Sequence, residues 1–278
     1  MTALTTRQQQ AAQAFSLLDL TSLTDQETVA DIQALVDSAS WRNAEGERIH
    51  VAALCVFPRF IPLARKLLDA QDLYAVRIAT VTNFPFGGDD IDIAVKETRA
   101  AVAYGADEVD VVLPYQALMQ GDQKLALQLI QACKAECGSH AQLKVILETG
   151  ELKSAELIAL ASRIAIQGGA DFIKTSTGKV PENATAAAAA IMVNEIAAYE
   201  QKQTEEKAAA HGIHRIGFKP AGGIRTLNDA LVYMNAMSNA VGSDSLHASR
   251  FRLGASSVRS NLVAILEGND EATAAGGY

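Results

Sequence analysis

The chain has 278 residues, 49% of them hydrophobic and 20% charged, a composition that buries a large core in one α/β domain as readily as in two small ones. A net charge of −8 and a pI near 5.2 disfavour nucleic acid or an anionic membrane as partner, so an anionic ligand needs a local cationic site. Three cysteines without CxxC spacing, a start that lacks a basic and apolar leader, and no apolar run of bilayer length give the expectation of a reduced, cytoplasmic protein.

In chain order, a short helix is expected over about residues 5–16. Eight β-prone apolar runs follow: LLDLT (17–21), HVAALCVF (50–57), VRIATVTN (76–83), DEVDVVL (107–113), LKVILET (143–149), DFIKTST (171–177), RIGFKPA (215–221) and RFRLGAS (250–256). Between them lie helical stretches at 89–104, 122–137, 154–167, 184–200, 227–238 and 257–266, and Thr24-Asp25-Gln26-Glu27 reads as a capping box ahead of VADIQALVDSA. Strand and helix in alternation predict a parallel sheet. Eight units in about 250 residues predict a closed (β/α)8 TIM barrel, one domain over 1–278, rather than an open doubly wound sheet. Gly105-Ala106-Asp107 and Gly169-Ala170-Asp171 are alike, each placing a glycine where a helix end needs left-handed backbone. The charged stretch 200–212 reads as a surface extension of a helix, and the tail from about 268 to 278 as mobile.

In such a barrel alternate strand residues face the lumen, and chemistry sits at the C-terminal strand ends. Asp19, Cys55, Asp110, Glu148, Lys174 and Lys219 each occupy the middle or later part of a different apolar run. Any one of them could be a paired buried charge or a polar strand end; together they point to one site. Lys174 is the candidate nucleophile, because a lysine in a buried strand sheds water, its pKa falls, and neutral amine becomes available to attack a carbonyl. Lys219, on the neighbouring strand, would ease that deprotonation while Asp110 holds Lys219 charged. The competing reading pairs the two lysines with Asp110 and Glu148 as structural ion pairs. Lys144 lies early in its run and is assigned a structural role near the floor of the barrel.

Phosphate is expected above these residues. Gly178 and Lys179 follow the sixth strand, Gly222, Gly223 and Arg225 the seventh, and Gly254, Ser256 and Ser257 the eighth, where barrels of this class hold phosphate. An ordinary tight turn and a plain helix start are the alternatives for the last two loops. Gly178-Lys179 is not a Walker loop, no GxGxxG follows a strand, and the histidines show no metal-site spacing. Cys133 and Cys137, four apart on a helix, read as packing residues.

DFIKTSTGK, GFKPAGGIR, ADEVDVVLPY, TVTNFPFG, RLGASS and LLDLTSL together resemble the 2-deoxyribose-5-phosphate aldolases, class I (Schiff base) aldolases on a TIM barrel, from about residue 15 to the C-terminus. The resemblance implies that Lys174 forms the Schiff base, that Lys219 and Asp110 manage protons, and that the glycines, Lys179 and the serines surround the phosphate. It also implies that Tyr278 reaches the site on a flexible tail and assists proton transfer, against the alternative of an uninvolved terminus. Asp19 and Cys55 would line the site. The implied reaction is reversible cleavage of 2-deoxy-D-ribose 5-phosphate to D-glyceraldehyde 3-phosphate and acetaldehyde, with no metal or organic cofactor and a homodimer as the expected assembly. Two rivals stay open at this level: a sugar-phosphate-binding barrel without turnover, and a Schiff-base lyase with another donor. Around 200–212 the chain is longer than the pattern it resembles.

Overall fold

The structure, a computed structural model, describes residues 4–206 and 214–269. Residues 207–212 of the charged stretch, and Tyr278 with the tail from 270 onward, lie outside the described residues.

Each of the eight apolar runs contains a barrel strand: β1 (Leu18–Ser22), β2 (Ala53–Val56), β3 (Arg77–Thr82), β4 (Glu108–Val112), β5 (Gln142–Ile146), β6 (Phe172–Lys174), β7 (Gly217–Lys219) and β8 (Leu253–Gly254). All neighbours pair in parallel in the order β8-β1-β2-β3-β4-β5-β6-β7. The parallel bridges Phe218 to Phe251 and Ala221 to Gly254 then join β7 to the β8 segment and close the ring. The fold is therefore a (β/α)8 barrel.

Period 2 along the strands divides the buried residues into two cores. Outward-facing residues such as Leu54, Val109, Val111, Val145, Ile173 and Phe218 pack in the large apolar cluster with the helices. Facing inward are Asp19, Glu108, Asp110, Lys144, Phe172, Lys174 and Lys219, with a small apolar patch of Ala53, Cys55, Ala79 and Val81. Long side chains fit in the lumen because their neighbours are short. A Cβ on Gly217 would lie 2.3 Å from the Phe172 ring, and one on Gly254 would lie 2.8 Å from the Ala221 Cβ and 3.1 Å from the Lys219 Cε.

The likeness between the two Gly-Ala-Asp joints extends to their contacts. Gly105 and Gly169 take φ of +95° and +93°. The carboxylates of Asp107 and Asp171 then accept the main-chain NH of Ile78 and of Leu143 on the adjacent strand, at 2.8 and 2.7 Å. Each joint thus ends a helix and fixes the register of the strand that follows it.

The structure corrects two local expectations. The capping box before the first barrel helix is Thr28 with Asp31, not Thr24 with Glu27, and the helix runs Val29–Asp37. The Glu27 carboxylate does accept the Thr24 NH, but it also takes the Ser22 hydroxyl and faces Arg59, so it ties a loop together instead of starting a helix. His50, expected to open the second barrel strand, belongs to an antiparallel hairpin of Ser40–Arg42 with Arg48–His50. The N-terminal helix Thr6–Ser16 begins as expected, with a Thr5–Gln8 capping box. The helix Ala186–Glu206 continues beyond 200; the Glu200 carboxylate accepts the NH of Ile216 and pairs with Arg250, so its start is held against the barrel. Cys133 and Cys137 are fully buried packing residues.

Candidate active site

Lys174 ends β6 and sits in register with Lys219 at the end of β7. Both side chains are buried, and both ammonium nitrogens lie 2.8 Å from the same atom, Oδ2 of Asp110. The other oxygen of Asp110 takes Lys144 at 2.8 Å. Lys144 also reaches Glu108 at 2.6 Å, and Lys219 reaches Asp19 at 2.5 Å. Below them the Arg252 guanidinium binds Glu108 with two nitrogens, at 2.5 and 2.9 Å, and Asp19 with one, at 2.7 Å.

This buried network contains four cations, Lys144, Lys174, Lys219 and Arg252, and three carboxylates, Asp19, Glu108 and Asp110. An uncompensated charge in a water-poor lumen is costly, so one cation is driven toward its neutral form. Lys174 is that cation. Burial lowers its pKa, the attraction of Asp110 opposes the fall, and repulsion from Lys219 adds to it, leaving the group below the ordinary lysine range. Burial also works against the charge on Lys219, but the Asp110 and Asp19 carboxylates outweigh it and hold that ammonium well above the usual range. Lys144 is raised in the same way by Asp110 and Glu108 against its burial. For Asp110, burial alone would raise the pKa; Lys144, Lys174 and Lys219 overcome it and keep the carboxyl far below its ordinary value. The geometry therefore sets an amine whose pKa is lowered beside an ammonium that is held charged, each 2.8 Å from the same oxygen.

Asp19 and Cys55, expected to line the site, are both in this cluster. Asp19 lies on the floor side, between Lys219 and Arg252. Cys55 is buried in the small apolar patch, and burial pushes its thiol up, so it is a neutral wall rather than a thiolate. Among the described residues Glu148 forms no ion pair with a lysine, contrary to the structural ion-pair reading. It stands just beyond β5 with φ of +58° and accepts the Thr177 NH at 3.2 Å and the Thr177 hydroxyl at 2.5 Å. It thereby fixes the loop that follows Lys174. Ser176, two residues beyond Lys174, has a buried hydroxyl with no hydrogen-bond partner among the described residues.

The three loops expected around a phosphate are brought side by side. Ala184 donates to the Ala221 carbonyl, Gly222 to that of Gly254, and Gly254 to that of Pro220. Ser256 then bridges to β1, where its hydroxyl accepts the Thr21 NH at 2.8 Å and donates to the Thr21 carbonyl at 2.9 Å. Lys179 reaches across to the Leu23 carbonyl. Several of these residues have local duties. The Gly222 NH is occupied, and the glycine is needed because φ is +81° and a Cβ would lie 2.7 Å from Asn183. The Ser257 hydroxyl bonds the Ile224 carbonyl. Arg225 is exposed, and its charge lies beside Asp229, which caps the following helix. Gly178 and Gly223, with φ of +83° and +80°, have open space where a Cβ would be. Ser257 caps the last helix without a side-chain hydrogen bond to it.

Glu108 and Arg252 complete the network and were not singled out from the sequence. Their signal was the two-residue spacing from lumen residues already chosen, Glu108 from Asp110 and Arg252 from Gly254. Lys144 is buried near the floor as expected, but it also shares Asp110 with Lys174 and so helps set the charge balance.

Known proteins bear on this arrangement. The structure superposes with a TM-score of 0.83 on a protein provisionally assigned as a deoxyribose-phosphate aldolase from Toxoplasma gondii ME49, at 23% identity over 95% of this chain and 97% of that one. A protein from Coccidioides immitis, provisionally assigned in the same way, gives a TM-score of 0.71 at 26% identity over 90% and 85%. The tetrameric deoxyribose phosphate aldolase of Aeropyrum pernix gives 0.67 at 21% over 93% and 96%. At these identities the first and third likenesses concern the fold. The sequence pattern of the DeoC/LacD family aldolases matches residues 11–262, a span that takes in every barrel strand and every member of the buried charge network. The chain belongs to the DeoC/LacD family of aldolases.

Proposed function

We propose that the protein cleaves 2-deoxy-D-ribose 5-phosphate reversibly to D-glyceraldehyde 3-phosphate and acetaldehyde through a Schiff base on Lys174, as a step in cytoplasmic deoxyribose phosphate breakdown. The observation that carries this reading is the excess of one buried cation, with Lys174 as the group whose pKa is lowered. Neutral Lys174 adds to the aldehyde carbon, and the carbinolamine loses water to give an iminium ion. The Lys219 ammonium, held charged, is the acid that helps the hydroxyl leave as water. A water or side chain positioned by Asp110 and Lys219 takes the C3 hydroxyl proton, the oxygen becomes the carbonyl of the leaving aldehyde, and the C2–C3 bond breaks. Its electron pair moves to the iminium as an enamine, and D-glyceraldehyde 3-phosphate departs. Protonation at C2 and hydrolysis release acetaldehyde and restore the amine.

Asp110 stays ionised throughout, because its pKa is far below neutrality. Its part is to hold both lysines in place and to keep Lys219 protonated. The phosphate is assigned to the ring of loops above β6, β7 and β8, with Gly178, Lys179, Gly223, Ser256 and the start of the last helix as its nearest groups. Gly222, Gly254 and Ser257 shape that ring, and Arg225 adds charge at its edge. Binding at the phosphate fixes the register of the bond to be broken. A coupled assay for glyceraldehyde 3-phosphate tests the reading. Turnover of deoxyribose 5-phosphate, with acetaldehyde preferred over dihydroxyacetone as donor in the reverse direction, is expected. Preference for dihydroxyacetone would assign a different donor, and no turnover of any aldol would contradict the proposal.

A further inference from the structure

The opposite end of the barrel holds a second cationic feature that the cleavage reaction does not use. A cavity of about 600 Å³ opens at the N-terminal ends of the strands, and Arg48, His50, Arg77, Gln142, His247 and Arg252 line it, with no carboxylate among its lining residues. In a chain of net charge −8, three guanidinium groups are concentrated there.

The three differ in what they have left to give. All the nitrogens of Arg252 are committed, to Glu108, Asp19 and the Ala248 carbonyl, so it forms a saturated inner wall. Arg77 is half exposed, and its one ion pair among the described residues is loose: its Nε lies 3.9 Å from Glu108, a carboxylate already shared by Arg252 and Lys144. Arg48 donates to the Gln71 carbonyl at 2.8 Å, forms no ion pair among the described residues, and keeps a buried Nε without a partner. On His50, Nδ1 donates to the Val51 carbonyl at 2.8 Å, leaving Nε2 open; His247 is oriented by Ser249 at 2.7 Å. Guanidinium donors with capacity to spare beside two imidazoles, the one nearby carboxylate, Glu108, being already shared by Arg252 and Lys144, make a receptor for an oxyanion that accepts from several forks at once.

We propose that this floor cavity is a binding site for a phosphate-bearing small molecule, held by Arg48 and Arg77 with His50 and His247 beside it. The volume suits a ligand of sugar-phosphate size. The site is independent of the phosphate ring at the mouth and lies across the lumen network from it.

The test is a titration of the full-length protein with inorganic phosphate at constant ionic strength, followed by the imidazole NMR signals of His50 and His247. Both signals are expected to move along one saturable curve while that of His140, outside the cavity, stays still. Arg77→Gln should weaken binding at least about tenfold. Because Arg77 is exposed, this variant should keep its fold and its aldolase turnover; Arg48→Ala should act in the same direction. Ser256→Asp, at the mouth, should leave the curve unchanged, and acetate should bind at least about tenfold more weakly than phosphate. The proposal is overturned if neither imidazole responds saturably, if His140 moves with them, if Arg77→Gln binds as the wild type does, or if acetate equals phosphate.

Discussion

At the floor of the lumen Arg252 meets Glu108 with two nitrogens and Asp19 with one, so two carboxylates share one guanidinium. At the mouth Lys144, Lys174 and Lys219 all meet one carboxylate, Asp110. Both layers are buried, yet only the upper one holds more cations than carboxylates, and the network as a whole keeps one cation in excess. In a buried cluster with one cation too many, the member with the weakest hold is the one pushed toward its neutral form. Lys174 has that weakest hold, since Asp110 is its one ion-pair partner among the described residues, whereas Lys219 and Lys144 each have another carboxylate.

Breaking the mouth layer at Lys174 gives the largest effect on activity. Lys174→Met should lower kcat/KM by at least about 10⁴-fold. It should not destabilise the fold. A lysine pKa lowered by folding costs stability at every pH below the unfolded value, and that cost fades as the pH rises toward it. Thermal melts near neutral pH should therefore show the variant as stable as the wild type or more so, with the advantage shrinking in alkali.

Asp110→Asn removes the shared counter-ion and should cost about 10³-fold in turnover together with ~3–5 kcal/mol of stability, since two buried ammonium groups lose a carboxylate. The sign of the wild-type pH dependence follows from the depressed Asp110 pKa. Its stabilisation is present above the unfolded carboxyl pKa and is lost progressively as the pH falls from there toward the much lower folded one. Acid unfolding followed by circular dichroism should lose its steep section in the variant.

Lys219→Met sharpens the comparison by removing the like charge. Lys174 then no longer competes for Asp110, and its pKa should rise; the ascending limb of the kcat/KM profile should move to higher pH, with a loss near neutrality of about 10–100-fold. An unmoved limb would show that Lys219 does not tune Lys174. Its own alkaline linkage should vanish as well, because a raised lysine pKa gives stability below the unfolded value that is lost as pH climbs through the folded one.

The floor layer should respond in stability more than in activity. Arg252→Met leaves Asp19 and Glu108 with only their lysine partners and should cost ~3–5 kcal/mol in chemical denaturation. Turnover of the folded fraction should stay within about tenfold of the wild type, because Asp110 and Lys174 keep their contact.

Much of this was legible in the sequence because strands and lumen residues obey one period. Asp110, Lys174 and Lys219 stood out as charges in apolar runs, and eight runs predicted the barrel that places them together. Glu108 and Arg252 did not stand out, because each lies at the polar start of its run, where a charge is ordinary. Ranking Lys144 as structural caught its depth but not its second carboxylate, since side-chain reach across the lumen is not a property of spacing. Thr24 to Glu27 has the letters of a capping box, but Glu27 is claimed by Ser22 and Arg59, which are contacts made across the fold. The phosphate loops were located by strand order, while the local duties of Gly222, Gly254 and Ser257 depend on neighbours distant in sequence.

The central claim, that the unbalanced layer makes Lys174 the nucleophile, is tested most directly by reductive trapping. The protein is incubated with acetaldehyde, reduced with borohydride, and mapped by peptide mass spectrometry. The account predicts an ethyl group on Lys174, with Lys144 and Lys219 unmodified because their ammonium groups are held charged. An ethyl group on Lys219 with Lys174 untouched, in folded protein, would contradict it.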